Sequence, residues 1–416
     1  MASTYLSRNI SAGSTGKKFT LSAWIKFTSL STNSELWSIS NDNTVHNYID
    51  ICFKSGVLDM QFKLANGGTF MRRKTTRLFR DVNAWYHIVL RFDSTNSTAS
   101  DRFRLYVNGV QETSFDNDGT ASTFSSDYVT ALSTSGANQF IGRTVGYSSY
   151  WDGSMSHFHL CDGYSYAPTV FGSTDSTTGE WKINTSPSIT MGTNGFTILK
   201  DGNTITDQSS NSNDFSLGAG TLTKTEDNPS NVFATLNPLD NYYANATFSN
   251  GNTKITTGTS REASVTATIP MFKGKYYWET QMVSANAPFV GIQPIPSFGN
   301  TASPAPLQLN GYGLLKTGKV ETTDGTGGST VLATYATYTT GDIIGTAVDL
   351  DSAQNKIYFY KNGTILGSSG VNITSVGSTS QGMYLAAFGV IAGQDTIEVN
   401  FGNGYFGTTA VSSAGT

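Results

Sequence analysis

Few side chains in this sequence are of a kind that does chemistry, and their spacing limits what they could do. Retaining cleavage of a glycosidic bond needs two carboxylates about 5–5.5 Å apart, which residues two or four apart on one strand face can supply. The stretch NYIDICFK (47–54) offers Asp50 alone in such a place. Asp349 and Asp351 have the spacing but sit at a strand end before Ser-Ala-Gln-Asn. Asp is favoured there simply because it hydrogen-bonds local backbone. His157 and His159 lie two apart on one strand face, and the sequence nominates no third or fourth ligand beside them. With four His and two Cys in the chain, no zinc-type cluster can be assembled from Cys/His spacing. Neither a Gly-X-Ser-X-Gly elbow nor a Cys–His arrangement stands in a suitable context. The expectation is a protein that is not an enzyme and holds no metal. Cys52 and Cys161 could meet in space; two separate buried thiols used as small hydrophobes is the favoured reading.

Two other groups of residues suit binding rather than catalysis. Tyr147, Tyr150, Trp151 and Asp152 share one turn. Sugars present flat C–H faces that stack on aromatics, and a carboxylate takes their hydroxyls; the alternative is that these rings fold back over the end of the domain. Arg72, Arg73, Lys74 and Arg77, with Arg80, form the only basic cluster. They read as a charged strand edge guarded against mispairing, or as a contact with an acidic partner surface. A net charge of −4 and a pI near 5.6 give no support to a nucleic-acid partner.

The elements that must position these groups are strands. Trp85 to Gly109 alternates Ile88, Leu90 and Phe92 against His87, Val89 and Arg91, then Phe103, Leu105 and Val107 against Arg104 and Tyr106. A period of two with β-branched and aromatic residues predicts strands, and Asn108-Gly109 predicts a type I′ hairpin. Six large apolar side chains on one face need a second sheet to bury them. The same plan returns at Gly341 to Gly363, ending on Asn362-Gly363. Phe19 to Phe27 alternates likewise. At 416 residues with 43 Gly, 13% charged and 12% aromatic residues, the chain is expected to be all-β, as two β-sandwich domains. The first 18 residues are polar and show no secretory leader pattern, and no apolar run approaches membrane-spanning length. No coiled-coil heptads occur.

The phrases YLSRNISAGSTGKKFTLSAWIK, RLFRDVNAWYHIVLRFD, RFRLYVNG and FIGR…WDGSMSHFHLCDG resemble the laminin-G-like, concanavalin A-like jelly roll. VFGSTDSTTGEWK, DQSSNSNDFSLG and DNPSNVFATLNPLDNYY are more particular and resemble virion proteins of tailed phages, marine ones especially. GKYYWETQM with Trp278-Glu279, then FVGIQ, YGLL, YLAAFGV and IEVNFG, resembles a SPRY domain, whose loops serve protein recognition. The resemblance implies a laminin-G-like jelly roll over 1–180, an ordered connector over 181–245 packed on it, and a SPRY-like sandwich over 246–416. Laminin-G-like loops often hold calcium, and Asp42, Asp93, Asp116 and Asp118 are the loop residues that would contribute; each reads first as a turn former, and no cofactor is expected. The expected function is a non-enzymatic virion component, a capsid- or tail-attached fibre, decoration or adhesin that contacts host-surface glycan. It would be assembled in the host cytoplasm with other virion proteins, as a homo-oligomer such as a trimer. The alternatives are a purely structural virion component and a polysaccharide depolymerase. Pro294 to Pro306 is the candidate exposed loop of the second domain.

Overall fold

A computed structural model of the chain describes residues 3–10, 13–29, 33–41, 48–63, 70–117, 122–144, 149–200, 202, 204–243, 246–258, 263–294, 311–323, 328–391, 393–402, 405–406 and 409–410. It divides into two units, Met1–Lys224 with Asn228–Asn231, and Thr225–Asp227 with Val232–Thr416. No helix among the described residues is long and apolar enough to cross a membrane.

The first unit is a β-sandwich. Its strands in chain order are β1 (Tyr5–Asn9), β2 (Lys18–Phe27), β3 (Asn33–Ser40), β4 (Tyr48–Lys54), β5 (Val57–Lys63), β6 (Phe70–Thr75), β7 (Tyr86–Asp93) and β8 (Phe103–Val107). They continue with β9 (Val110–Glu112), β10 (Phe115–Asp116), β11 (Asn138–Ile141), β12 (Gly153–Asp162), β13 (Gly172–Thr174), β14 (Trp181–Ile183), β15 (Phe196–Ile198) and β16 (Ser216–Ala219). One sheet has eight strands in the order β10-β6-β5-β4-β3-β11-β1-β16; the facing sheet has six, in the order β15-β12-β2-β7-β8-β9.

The alternation read from the sequence sets the register. Ile88 pairs with Val107, Leu90 with Leu105 and Phe92 with Phe103. All six are buried in the core between the sheets, with Phe19, Leu21, Ala23 and Ile25 of β2. Asn108 and Gly109 take φ of 48° and 76°, the two positive values that a type I′ turn requires. At the centre, the rings of Phe62, Phe92, Phe103 and Phe124 meet at centroid distances of 5.0–6.1 Å. Edge-to-face and stacked pairs of this kind add about 0.5–1.5 kcal/mol each beyond the area they bury.

The stretch 181–245 is shared out among sheets. β15 pairs with β12 at the edge of the six-stranded sheet, and β16 pairs with β1 at the edge of the eight-stranded one. Phe196, Ile198 and Phe215 enter the first core. The outer face of the six-stranded sheet is roofed by residues 166–191, where Phe171 and Met191 pack on Val89, Tyr106 and Cys161 with Tyr166 against them. Trp181 lies so close over Gly109 and Gly172 that a Cβ at either would fall within 2.7 Å of its ring. Only glycine leaves that space.

The second unit carries β17 (Leu236–Tyr243), β18 (Thr247–Ser249), β19 (Lys254–Thr256), β20 (Ala263–Ala267), β21 (Lys275–Ser284), β22 (Pro288–Gln293) and β23 (Tyr312–Leu315). After them come β24 (Lys319–Thr323), β25 (Ser329–Thr334), β26 (Ile343–Asp349), β27 (Lys356–Lys361), β28 (Thr364–Asn372), β29 (Leu385–Val390) and β30 (Thr396–Asn400). They form two seven-stranded sheets, β17-β20-β29-β22-β23-β24-β25 and β18-β19-β30-β21-β26-β27-β28. Ile344, Val348, Leu350, Ile357 and Phe359 lie in one core with Trp278, Tyr338 and Tyr384. Asn362 and Gly363 repeat the positive-φ turn at 50° and 79°. The chain is all-β, two sandwiches in series, as its alternation predicts. Of the candidate loop Pro294 to Pro306, residues 295–306 lie outside the described residues.

Candidate functional site on the outer face of the eight-stranded sheet

Strand alternation places the site. Ile49, Ile51 and Phe53 of β4 enter the core, so Tyr48, Asp50, Cys52 and Lys54 stand on the opposite, outer face. On β5, Leu58, Met60 and Phe62 point inward, which sends Asp59, Gln61 and Lys63 outward. β3 is irregular between Glu35 and Trp37. The extra residue lets Leu36, Trp37 and Ile39 all reach the core while Glu35 faces outward opposite Cys52. A bulge is the usual means of re-aiming one side chain in this way.

These groups form a polar floor below a half-exposed row. Asp59 is fully buried, yet Arg72 donates to both its oxygens (Nε 2.8 Å, Nη2 2.7 Å), Lys54 lies 3.2 Å away, and Gln61 Nε2 donates at 3.1 Å. Burial alone would raise the Asp59 carboxyl. The paired cations outweigh it, and the group is held below the usual range. Tyr48 donates to Gln61 Oε1 at 3.1 Å. A continuous chain thus runs Tyr48–Gln61–Asp59–Arg72 across three strands, and Tyr48, Gln61 and Arg72 remain partly open to solvent.

Beside it, Glu35 and Asp50 hydrogen-bond each other. Burial, then the Asp50 charge, pushes the Glu35 carboxyl up to about 10. Burial also raises Asp50, against the Thr144 hydroxyl that donates to it at 2.9 Å. Two like charges so close in a dry site cannot both persist, so the pair holds a proton at neutral pH. Among the described residues, Glu35, Asp50 and Cys52 are the only three acidic, His or Cys side chains whose ligand atoms all lie within 4.8 Å of one another.

The sequence nominated other residues, and the structure places them differently. Tyr147 lies outside the described residues. Tyr150 packs on Tyr5 at 6.1 Å. Trp151 turns inward against Phe27 (5.3 Å) and Phe53 (6.0 Å). Asp152 accepts hydrogen bonds from Thr28 (2.5 Å) and Ser29 (2.6 Å). Residues 150–152 therefore cover the end of the sandwich, the fold-back alternative, with the Trp151 ring half-buried. Trp151→Ala is expected to cost about 2–3 kcal/mol, at or just below the low end of the roughly 3–5 kcal/mol for a buried aromatic because the ring is half-buried. Urea titration checks it, and an unchanged midpoint would show the ring to be idle.

The basic cluster is likewise committed inside the unit. Arg72 holds Asp59, Arg73 is buried over Phe103 and Phe124, Lys74 meets Asp116 at 3.4 Å, and Arg77 meets Glu112 at 2.7 Å. Of these only Arg72 joins the candidate site. Among the calcium candidates, Asp42 and Asp118 lie outside the described residues, Asp93 takes Lys18 and Thr95, and Asp116 takes Lys74. Asp349 and Asp351 cap backbone amides of their turn and of Gly274. Cys52 and Cys161 are both free and buried, on the outer faces of opposite sheets. What the strand-by-strand reading missed is Glu35, because Asp50 finds its second carboxyl on the neighbouring strand rather than on its own.

A family model, Laminin_G_3 of the concanavalin A-like lectin/glucanases superfamily, matches residues 2–171. The first unit has the concanavalin A-like lectin fold. Similar solved structures include the SPRY domain of human HERC1, with 15% identity over 40% of this chain and 98% of that one, TM-score 0.30. Domains LG4-5 of the mouse laminin alpha1 chain show 11% identity over 99% and 90%, TM-score 0.30. The native heptameric SAP-like pentraxin of Limulus polyphemus shows 16% over 39% and 71%, TM-score 0.27. No curated protein matches the chain. A lectin-like fold is compatible with carbohydrate binding or adhesion. Among the described residues, Tyr48, Gln61 and Arg72 are partly exposed on the outer face of the eight-stranded sheet, whereas Phe171 and Met191 cover Val89 and Cys161 on the six-stranded one.

Proposed function

We propose that the chain is a non-enzymatic recognition protein of a tailed-phage particle, a capsid- or tail-attached fibre, decoration or adhesin. Its lectin-like unit contacts host-surface glycan through the outer face of the eight-stranded sheet. The observation that carries this reading is the bonded row Tyr48–Gln61–Asp59–Arg72. Its donors and acceptors are fixed by one another, so little ordering cost remains when sugar hydroxyls replace water. Tyr48 adds a partly open ring to that row. The connector phrases support placing the protein on a phage particle, beside other virion proteins and as a homo-oligomer.

Depolymerisation fits the site poorly. Glu35 and Asp50 are in direct hydrogen-bond contact, closer than the spacing that flanks a glycosidic bond. Binding of the full chain to bacterial envelope polysaccharide, followed by interferometry, tests the proposal. Wild type should bind and release no reducing sugar. Gln61→Ala should weaken binding about tenfold, the loss of one good hydrogen bond. Equal binding by wild type and variant would remove the row from the account, and released sugar would make the protein an enzyme.

A further inference from the structure

We propose that Glu35, Asp50 and Cys52 form a site for a zinc-class divalent cation on the outer face of the eight-stranded sheet. The inference is independent of glycan binding. Glu35 and Cys52 are direct cross-strand partners, and Asp50 lies two residues from Cys52 on the same face. Their ligand atoms lie within 4.8 Å of one another. A tetrahedral ion with bonds of about 2.0–2.3 Å holds its ligands roughly 3.3–3.8 Å apart, so side-chain adjustments alone would close the site.

A second observation points to a missing partner. Glu35 is 2% exposed, and its Oε2 is buried with no hydrogen-bond partner. Leaving a carboxyl oxygen unmatched inside a protein is costly, and a cation is the partner that would satisfy it. The Cys52 thiol donates to the Asp50 carboxyl and makes a weak 3.6 Å contact to the Asp59 carbonyl oxygen; loss of its proton to a metal would release both. Charge balance agrees. Fully ionised, Glu35, Asp50, Cys52 and Asp59 carry four negative charges against the two positive charges of Lys54 and Arg72. A divalent ion cancels the remaining two. Binding would release two protons, one from the thiol and one from the bond between the carboxyls. A thiolate beside two carboxylates favours a borderline-soft ion over calcium or magnesium.

Cobalt(II) titration of the chelator-treated full chain tests this directly. Wild type should develop a near-ultraviolet sulfur-to-cobalt band that saturates at one ion per chain, and one equivalent of zinc should erase it. Cys161→Ala, which removes the other buried thiol, should keep the band; Cys52→Ala should lose it. Glu35→Gln should weaken zinc binding by more than the roughly 10–100-fold that outer partners of a metal contribute. Three results would overturn the site: no band in wild type, a band retained in Cys52→Ala, or calcium displacing cobalt at equal concentration. The wild-type spectrum decides the matter even if a variant fails to fold.

Discussion

Acid should unfold the first unit through two buried histidines. His87 lies between Trp24 (4.7 Å) and Trp181 (6.0 Å), fully buried. Trp181 donates its indole N–H to His87 Nδ1 at 2.9 Å, which makes Nδ1 an acceptor and puts the ring proton on Nε2, facing the Ser22 hydroxyl at 2.9 Å. His159 is 3% exposed and bonds Thr197 at 2.8 Å. Burial first, and repulsion among neighbouring histidines second, depresses both rings to about 3. Their neutral forms are favoured in the folded state, while the unfolded chain takes up protons from about pH 6.5 downward. Stability is therefore fully present above that pH and is lost as pH falls toward 3, by about 1.4 kcal/mol per pH unit for each ring.

Glu35 has the opposite sign. Its carboxyl is pushed up to about 10, so its contribution is full below about pH 4.5, its unfolded value, and declines as pH rises. It therefore offsets about one histidine between pH 6.5 and 4.5, and below that the histidines act unopposed by it. Urea denaturation across pH 7 to 4, compared between wild type and His159→Gln, isolates one ring. The two curves should differ in slope by about 1.4 kcal/mol per pH unit. Parallel curves would mean that His159 is free to protonate in the folded unit.

Asp59→Ala is the substitution expected to cost most on the candidate face. It removes the buried carboxylate that the Arg72 guanidinium and the Lys54 ammonium share. Breaking a fully buried pair from one side costs about 3–5 kcal/mol; with the Arg72 and Lys54 side chains 20% and 36% exposed, solvent takes up part of that and about 2–3 kcal/mol is expected. The same change frees Gln61, which Asp59 holds at 3.1 Å, so glycan binding should fall with stability. Asp59→Asn keeps an acceptor while removing the charge and should fall between. Chemical denaturation at pH 7 checks both. An Asp59→Ala midpoint equal to wild type would show that the two cations find water as readily as they found Asp59.

Sandwich architecture was legible in the sequence because it rests on period-two sidedness, which is local. Ile88, Leu90 and Phe92 declared their face, and Asn108-Gly109 and Asn362-Gly363 declared their turns. The candidate site was not legible, because it depends on which strand lies beside which and in what register. Asp50 stands alone along its own strand; it gains Glu35 only through the β3–β4 pairing, shifted by an irregularity that no local pattern marks. Arg72 and Arg77 looked like a free basic surface until Asp59 and Glu112 were brought opposite them by pairing across strands. The Trp151 turn stood open between sugar contact and fold-back for a related reason. Whether an aromatic in a turn faces water or the core depends on Phe27 and Phe53, residues about 100 positions earlier in the chain. Short-range chemistry can be read from spacing, but partners supplied by another strand cannot.

Hydrogen–deuterium exchange of the full chain, with and without oligosaccharides released from bacterial envelope polysaccharide, tests the central claim most directly. Added sugar should slow exchange in β4, β5 and β6, within 48–63 and 70–75, and leave the roofed strands of the six-stranded sheet unchanged. Protection confined to the second unit, or absent from those three strands while sugar binds, would contradict the account.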